Sequence, residues 1–194
     1  MKSNIFKIYL KLIIIIVLVI PIFFGFNMQF SYFSKMGLFE IFLILICLLF
    51  LIIVGIFIVK YIFNANDYEK MKEHEIIKGF ICKNIKLVTI SFLLTIIIEE
   101  LIFRFYIMGI LIININVISS IMISSVIFSL YHIHIFFYFR ISKIIWIYLG
   151  YSFLIGFVNG IILNFVGLFC CIIDHFFIVY MIYYWLFRSY NSKS

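Results

Sequence analysis

Residues 96–108 read IIIEELIFRFYIM, an apolar run that carries Glu99, Glu100 and Arg104 within six positions. A charged side chain at the centre of a bilayer costs roughly 2.5–3.5 kcal/mol on insertion scales. Membrane segments that keep such groups turn them toward a protein interior or a water-filled cavity. The stretch therefore reads as a membrane helix that carries a site.

The rest of the composition agrees. Of 194 residues, 67% are hydrophobic and 21% aromatic, while only 12% are charged, too few to solvate a soluble domain of this apolarity. The fold class is all-α, a polytopic transmembrane helix bundle, because runs this long and without alternation are not barrel strands. About six runs are long enough to span: 10–30, 38–63, 87–113, 117–139, 144–165 and 168–187. Pro21 predicts a kink in the first. The start resembles a signal peptide but has no small-residue cleavage site, so it is expected to remain as the first helix. No lipidation signal is read in the last residues, SYNSKS.

Between the second and third runs lies the one strongly polar stretch, 64–86, read as an interfacial amphipathic helix on the cytoplasmic side. The chain thus divides into 1–86, two transmembrane helices and an amphipathic loop, and 87–194, the core that carries the site. The net charge of +7 is gathered in short loops and reads as topogenic, not as a nucleic-acid footprint. Lys2, Lys7, Lys11, the lysines from Lys60 to Lys86, Arg140, Lys143, Arg188 and Lys193 fall on one side, and Lys35 alone on the other. That count places both termini in the cytoplasm of a multi-pass protein of the cell membrane. Heavy use of Ile, Phe, Lys and Asn suggests a bacterial, AT-rich source. Cys47, Cys82, Cys170 and Cys171 have no metal-type spacing and read as packing residues.

The ionisable residues inside the spans are Glu99, Glu100, Arg104, His132, His134, Asp174 and His175. At about 100° per residue, Glu100 and Arg104 share a helix face at i,i+4 with the acid N-terminal, the favourable order for an ion pair. Glu99 points elsewhere and is left for a substrate or a water. The bland alternative is that the three charges only hold helices together. Two histidines and an unpaired glutamate suit a general-base site or a metal site. His134, about 200° around the helix from His132, is expected to face away. His74 is expected to be solvated, and Asp174 to mark a membrane boundary.

These residues resemble a known family. Glu99-Glu100-Leu-Ile-Phe-Arg104 matches EExxxR, Phe128-Ser-Leu-Tyr-His132 matches FxxxH, and His175 follows on a later helix. The ordered set is similar to the CPBP family of intramembrane proteases, which includes the type II CAAX prenyl endopeptidases and the bacterial Abi proteins. The resemblance covers roughly 87–187 and implies an active site between helices three, four and six. It implies that Glu99 activates the attacking water with help from His132, that His175 stabilises the oxyanion, and that Glu100 and Arg104 support them. Phe128 and position 179 would border the substrate. The family's last block is HxxxN or a polar variant, whereas this chain has His175-Phe-Phe-Ile-Val179. Valine donates no hydrogen bond, and one lost oxyanion donor costs a factor of about 10²–10³ in rate. Asn159 and Asn164 are possible substitutes.

The resemblance implies an intramembrane endopeptidase acting on CAAX-type or bacteriocin-precursor substrates, with a role in self-immunity as a variant. A catalytically weakened relative acting as an immunity or scaffold protein is one alternative, and a small proton-coupled transporter using Glu99 as relay is another. No cofactor is expected, since the HExxH spacing of zincins is absent. Were zinc required, Glu99, His132 and His175 would be its ligands. The expected partners are a peptide or protein substrate and the lipid bilayer, with no nucleic acid.

Overall fold

The fold, obtained as a computed structural model, is described for residues 2–26, 37–71, 74–81, 85–135 and 142–191. Those residues are almost entirely helical, with no strand among them. The helices are α1 (Lys2–Phe23), α2 (Leu38–Phe57), α3 (Ala65–Met71), α4 (Glu75–Ile81), α5 (Ile85–Glu100), α6 (Gly109–Asn114), α7 (Val117–Tyr131), α8 (Ser142–Phe165) and α9 (Leu168–Asn191). Wider π-type turns extend α2 through Ile62 and join α5 to α6 over Leu101–Met108. The loop charges expected at Lys35, Arg140 and Lys193 lie outside the described residues, as does Cys82.

Among the described residues, five helical segments are long and apolar enough to cross a membrane: Ile5–Phe23, Leu38–Ile62, Val117–His134, Lys143–Phe165 and Leu168–Ser189. The sixth expected span is the continuous run α5–π turn–α6, whose apolar character is interrupted by Glu99, Glu100 and Arg104. All three are buried. This is the arrangement that lets a membrane helix keep charge: the polar groups turn inward, where protein replaces water.

The helices differ in how much lipid they meet. The spanning window of α1 is 0% buried within the protein and that of α8 is 44% buried, so α1 is peripheral and α8 central. α1 lies along α5, and α7 lies against α8. Small residues allow the second approach. Ser120, Ser124 and Ser125 of α7 are fully buried, and Gly156 and Gly160 of α8 face the same seam. A methyl group added at Gly156 would meet Arg104 Nη2 at 3.0 Å and Ser125 Cα at 3.1 Å. Close backbone approach through small residues is how membrane helices pack without a hydrophobic driving force between them.

The polar stretch 64–86 is not one amphipathic helix lying on a membrane surface. It breaks into α3 and α4, which bury Tyr68, Met71, Ile76 and Ile77 against Ile144, Tyr183 and Leu186. Lys143 Nζ ties α3 down, donating to Asp67 Oδ2 at 2.7 Å and to the Ile62 carbonyl at 2.6 Å. The segment is therefore part of the protein's own wall. Among the described cysteines, Cys47, Cys170 and Cys171 are free thiols, and Cys171 Sγ donates to the Asn159 carbonyl at 3.2 Å.

Candidate active site

The site is assembled from α5 and its π turn, the C-terminal end of α7, α8 and α9. Glu100 lies at its closed side. Its Oε1 accepts from His175 Nδ1 at 2.7 Å and from Asn159 Nδ2 at 3.1 Å, and its Oε2 lies 3.5 Å from Arg104 Nε. Glu100 and Arg104 are both 0% exposed. The i,i+4 pair expected from the sequence is therefore present, and it survives in a helix whose next two turns are widened.

The widened turns help to seat Arg104. Its Nη1 donates to Ser124 Oγ at 2.9 Å, and that hydroxyl donates in turn to the Phe103 carbonyl at 2.8 Å. A hydroxyl from a neighbouring helix satisfies a carbonyl of an irregular helix, as backbone at membrane depth requires. The guanidinium also stacks over the Phe128 ring, 4.7 Å from its centroid. Phe128 presents its ring to His132 at 4.7 Å and to His175 at 5.6 Å, both edge to face. At 1% exposure it does not border open space. Its place is between the arginine and the two imidazoles, where it fixes their relative positions.

Glu99 faces the other way. It lines a cavity of about 720 Å³ that His132, His134, His175 and Val179 also line. Its Oε2 lies 4.0 Å from His175 Nε2. His175 thus stands between the two carboxylates, its Nδ1 donating to Glu100 and its Nε2 directed to Glu99. His132 Nδ1 donates to the Phe128 carbonyl at 2.9 Å, a fixed contact that leaves Nε2 as the unprotonated nitrogen of the neutral ring.

Val179 lies one helical turn after His175 and lines the same cavity, as the i+4 spacing requires. Asn159 does not replace the missing donor there. It is fully buried, and its amide donates to Glu100 and to the Cys171 carbonyl. Asn164 is exposed.

Two expectations about histidine need correction. His134 is at the cavity rim, because residues 132–134 tighten into a 3₁₀ turn in place of the regular helix assumed for the 200° argument. His74 is not a solvated loop residue. Its ring stacks on Tyr183 at 4.7 Å, its Nε2 meets the Tyr183 hydroxyl at 3.0 Å, and it lines the cavity. Asp174, for its part, is 2% exposed and buried within α9.

Sequence reasoning did not anticipate Lys7, Lys11, Tyr148 or Tyr183, which also line the cavity. Lys7 and Lys11 carry a visible signal, an i,i+4 pair of cations entering a membrane helix, but the charge count uses them for orientation alone. The tyrosines had none in a chain with 13 of them. Among the described residues, no group of three His, Cys, Asp or Glu side chains converges as a metal ion requires. With Nδ1 held by Glu100, His175 has only Nε2 to offer.

The model of the family described as Type II CAAX prenyl endopeptidase Rce1-like matches residues 82–181. No curated protein and no solved structure matches the chain. The matched segment holds every residue of the Glu99–Glu100–Arg104–His132–His175 set and leaves α1 to α4 outside.

Proposed function

The chain belongs to the Rce1-like family of type II CAAX prenyl endopeptidases, and we propose that it cleaves membrane-associated peptides or proteins with a water activated by Glu99. The observation that carries this reading is the division between the acids: Glu100 is enclosed by Arg104, Asn159 and His175, while Glu99 opens onto the cavity.

In this mechanism Glu99 takes a proton from a water in the cavity, and the oxygen attacks the scissile carbonyl. His132, with Nε2 available as an acceptor, assists in holding that proton. His175, when it carries a proton on Nε2, donates to the oxygen that gains charge. The proton taken from water then passes to the leaving nitrogen as the carbon–nitrogen bond breaks. The apolar part of the cavity wall, which includes Ile58, Ile155, Ile182 and Leu186, suits a substrate presented from lipid. CAAX-type C-termini and bacteriocin precursors are the substrate types the family suggests. No metal is required by this scheme.

A second reading is favoured by Val179: a family member with weakened chemistry, acting as a membrane immunity or scaffold protein. Where the resembled motif HxxxN carries a polar residue, the cavity wall here is aliphatic.

The test is cleavage of a peptide panel by the purified full chain in detergent, with no ion gradient, for wild type and Glu99→Gln. Cleavage by the first and not by the second is expected. Folded wild-type protein that cleaves nothing would favour the second reading, and substrate uptake driven by a proton gradient would favour transport.

A further inference from the structure

α9 presents Val179 where the motif HxxxN carries a polar residue, and the Asn159 amide is committed to Glu100 and the Cys171 carbonyl. The neighbouring helix α8 presents a hydroxyl to the same cavity. Ser152 is 6% exposed and lines the cavity together with Glu99, His175 and Val179. The other buried serines, all on α7, give their hydroxyls to carbonyls: Ser120 to Asn116, Ser124 to Phe103, Ser125 to Ile121 and Ser129 to Leu149. The Ser152 hydroxyl has no protein acceptor among the described residues.

The register of α8 against α9 sets the height of Ser152. The two helices run antiparallel, and two contacts pin them. Asn159 Nδ2 donates to the Cys171 carbonyl at 3.3 Å, and the Tyr148 and Tyr183 hydroxyls meet at 3.1 Å. One turn on from Tyr148 is Ser152, and one turn back from Tyr183 is Val179. Two turns back from Asn159 is again Ser152, and two turns on from Cys171 is Ile178. Ser152 is therefore level with Val179, on the face of α8 that carries Tyr148. One turn further along that face a methyl group at Gly156 would meet Phe128 Cδ1 at 3.2 Å, and the Phe128 ring supports His132 and His175 edge to face. The hydroxyl is thus held on regular helix, one turn from the layer that fixes the two imidazoles.

We propose that Ser152 supplies the oxyanion donor that position 179 lacks, so that the oxygen of the scissile carbonyl is held by His175 from α9 and by Ser152 from α8. This rests on the endopeptidase reading. A hydroxyl suits the task. It donates one hydrogen bond to the oxygen as that oxygen gains charge, transfers no proton, and brings no charge of its own into the membrane. A hydrogen bond to a charged oxygen is about twice as strong as a neutral one. A donor in this place therefore binds the tetrahedral intermediate better than the planar amide, and such differential binding raises kcat. The chemistry then tolerates an aliphatic residue at 179, and the donor stands outside the EExxxR, FxxxH and HxxxN blocks.

The experiment measures kcat, KM and Tm of the purified full chain in detergent, on a peptide of the panel that wild type cleaves. Ser152→Ala is expected to lower kcat roughly 10²–10³-fold, with KM and Tm close to wild type. Ser152→Thr, which keeps a hydroxyl, is expected to retain most of kcat. Val179→Asn added to Ser152→Ala is expected to recover much of what the alanine loses. Should Ser152→Ala lower Tm, Ser152→Cys, similar in size and only a weak donor, carries the same comparison. A folded Ser152→Ala or Ser152→Cys protein with wild-type kcat would overturn the proposal and leave the endopeptidase reading intact. So would a loss that appears in KM and not in kcat, the mark of a contact made equally to the unreacted substrate. Wild type that cleaves no peptide would overturn the endopeptidase reading and this proposal with it.

Discussion

Glu99 and Glu100 are neighbours in the chain, yet they belong to different regions of the site. Glu100 looks into the seam between α7, α8 and α9, where Arg104, Asn159 and His175 surround it and small residues bring the helices close. Glu99 looks into a cavity walled by α1, α2, α3, α4, α5, the turn after α7, α8 and α9. The closed side is a network of buried polar groups, and such a network stabilises only while its members stay paired. The open side has room for water and a peptide. Two identical side chains can thus serve stability and chemistry separately because a helix rotates consecutive residues by about 100°.

Changes on the closed side should be felt in folding. Glu100→Gln leaves Arg104 in a fully buried place without its counter-charge, and a broken buried pair costs about 3–5 kcal/mol. Thermal unfolding in detergent should show a large fall in Tm. An unchanged Tm would mean that the closed side does not hold the bundle together.

On the open side the informative change is a gain. Val179→Asn places a donor one turn from His175 and is expected to raise kcat, by up to roughly 10²–10³ if the donor reaches the oxyanion, with KM little affected. The comparison is kcat for both forms on one peptide. A folded variant with equal or lower kcat would mean that position 179 does not serve the oxyanion.

A smaller effect separates the sides again. Gly156→Ala inserts a methyl group against Arg104 and the α7 backbone, an overpacking that costs about 1–3 kcal/mol. Its cost should appear in Tm, with KM for the peptide nearly constant. A rise in KM without a fall in Tm would place Gly156 on the open side.

The smallest expected effect is that of chelation. A glutamate–histidine mechanism predicts activity unaffected by a chelator and no stoichiometric zinc by elemental analysis. About one zinc per chain, with activity lost on chelation and restored by zinc, would reverse that expectation.

Much of the architecture was legible because lipid simplifies the code: apolar runs of sufficient length become helices, and charges within them turn inward. The Glu100–Arg104 pair was legible for the same local reason, since i,i+4 spacing brings the two side chains together. What the sequence left hidden is tertiary or depends on irregular helix. The run after Glu100 and residues 132–134 read as regular helix, whereas the structure has a π turn and a 3₁₀ turn there, and the second brings His134 to the cavity rim. His74 was misread because a polar loop is ordinarily solvated, whereas here α3 and α4 fold back onto α9 and carry the imidazole to Tyr183. The place of Lys11 in the cavity wall shows only once α1 is seen against α5.

The central claim is that the two glutamates have separate duties, and one paired measurement tests it: turnover of a single peptide and Tm for Glu99→Gln beside Glu100→Gln. The account predicts that Glu99→Gln keeps the wild-type Tm and loses turnover, while Glu100→Gln loses Tm. Wild-type turnover in Glu99→Gln, or a fall in its Tm as large as that of Glu100→Gln, would contradict it.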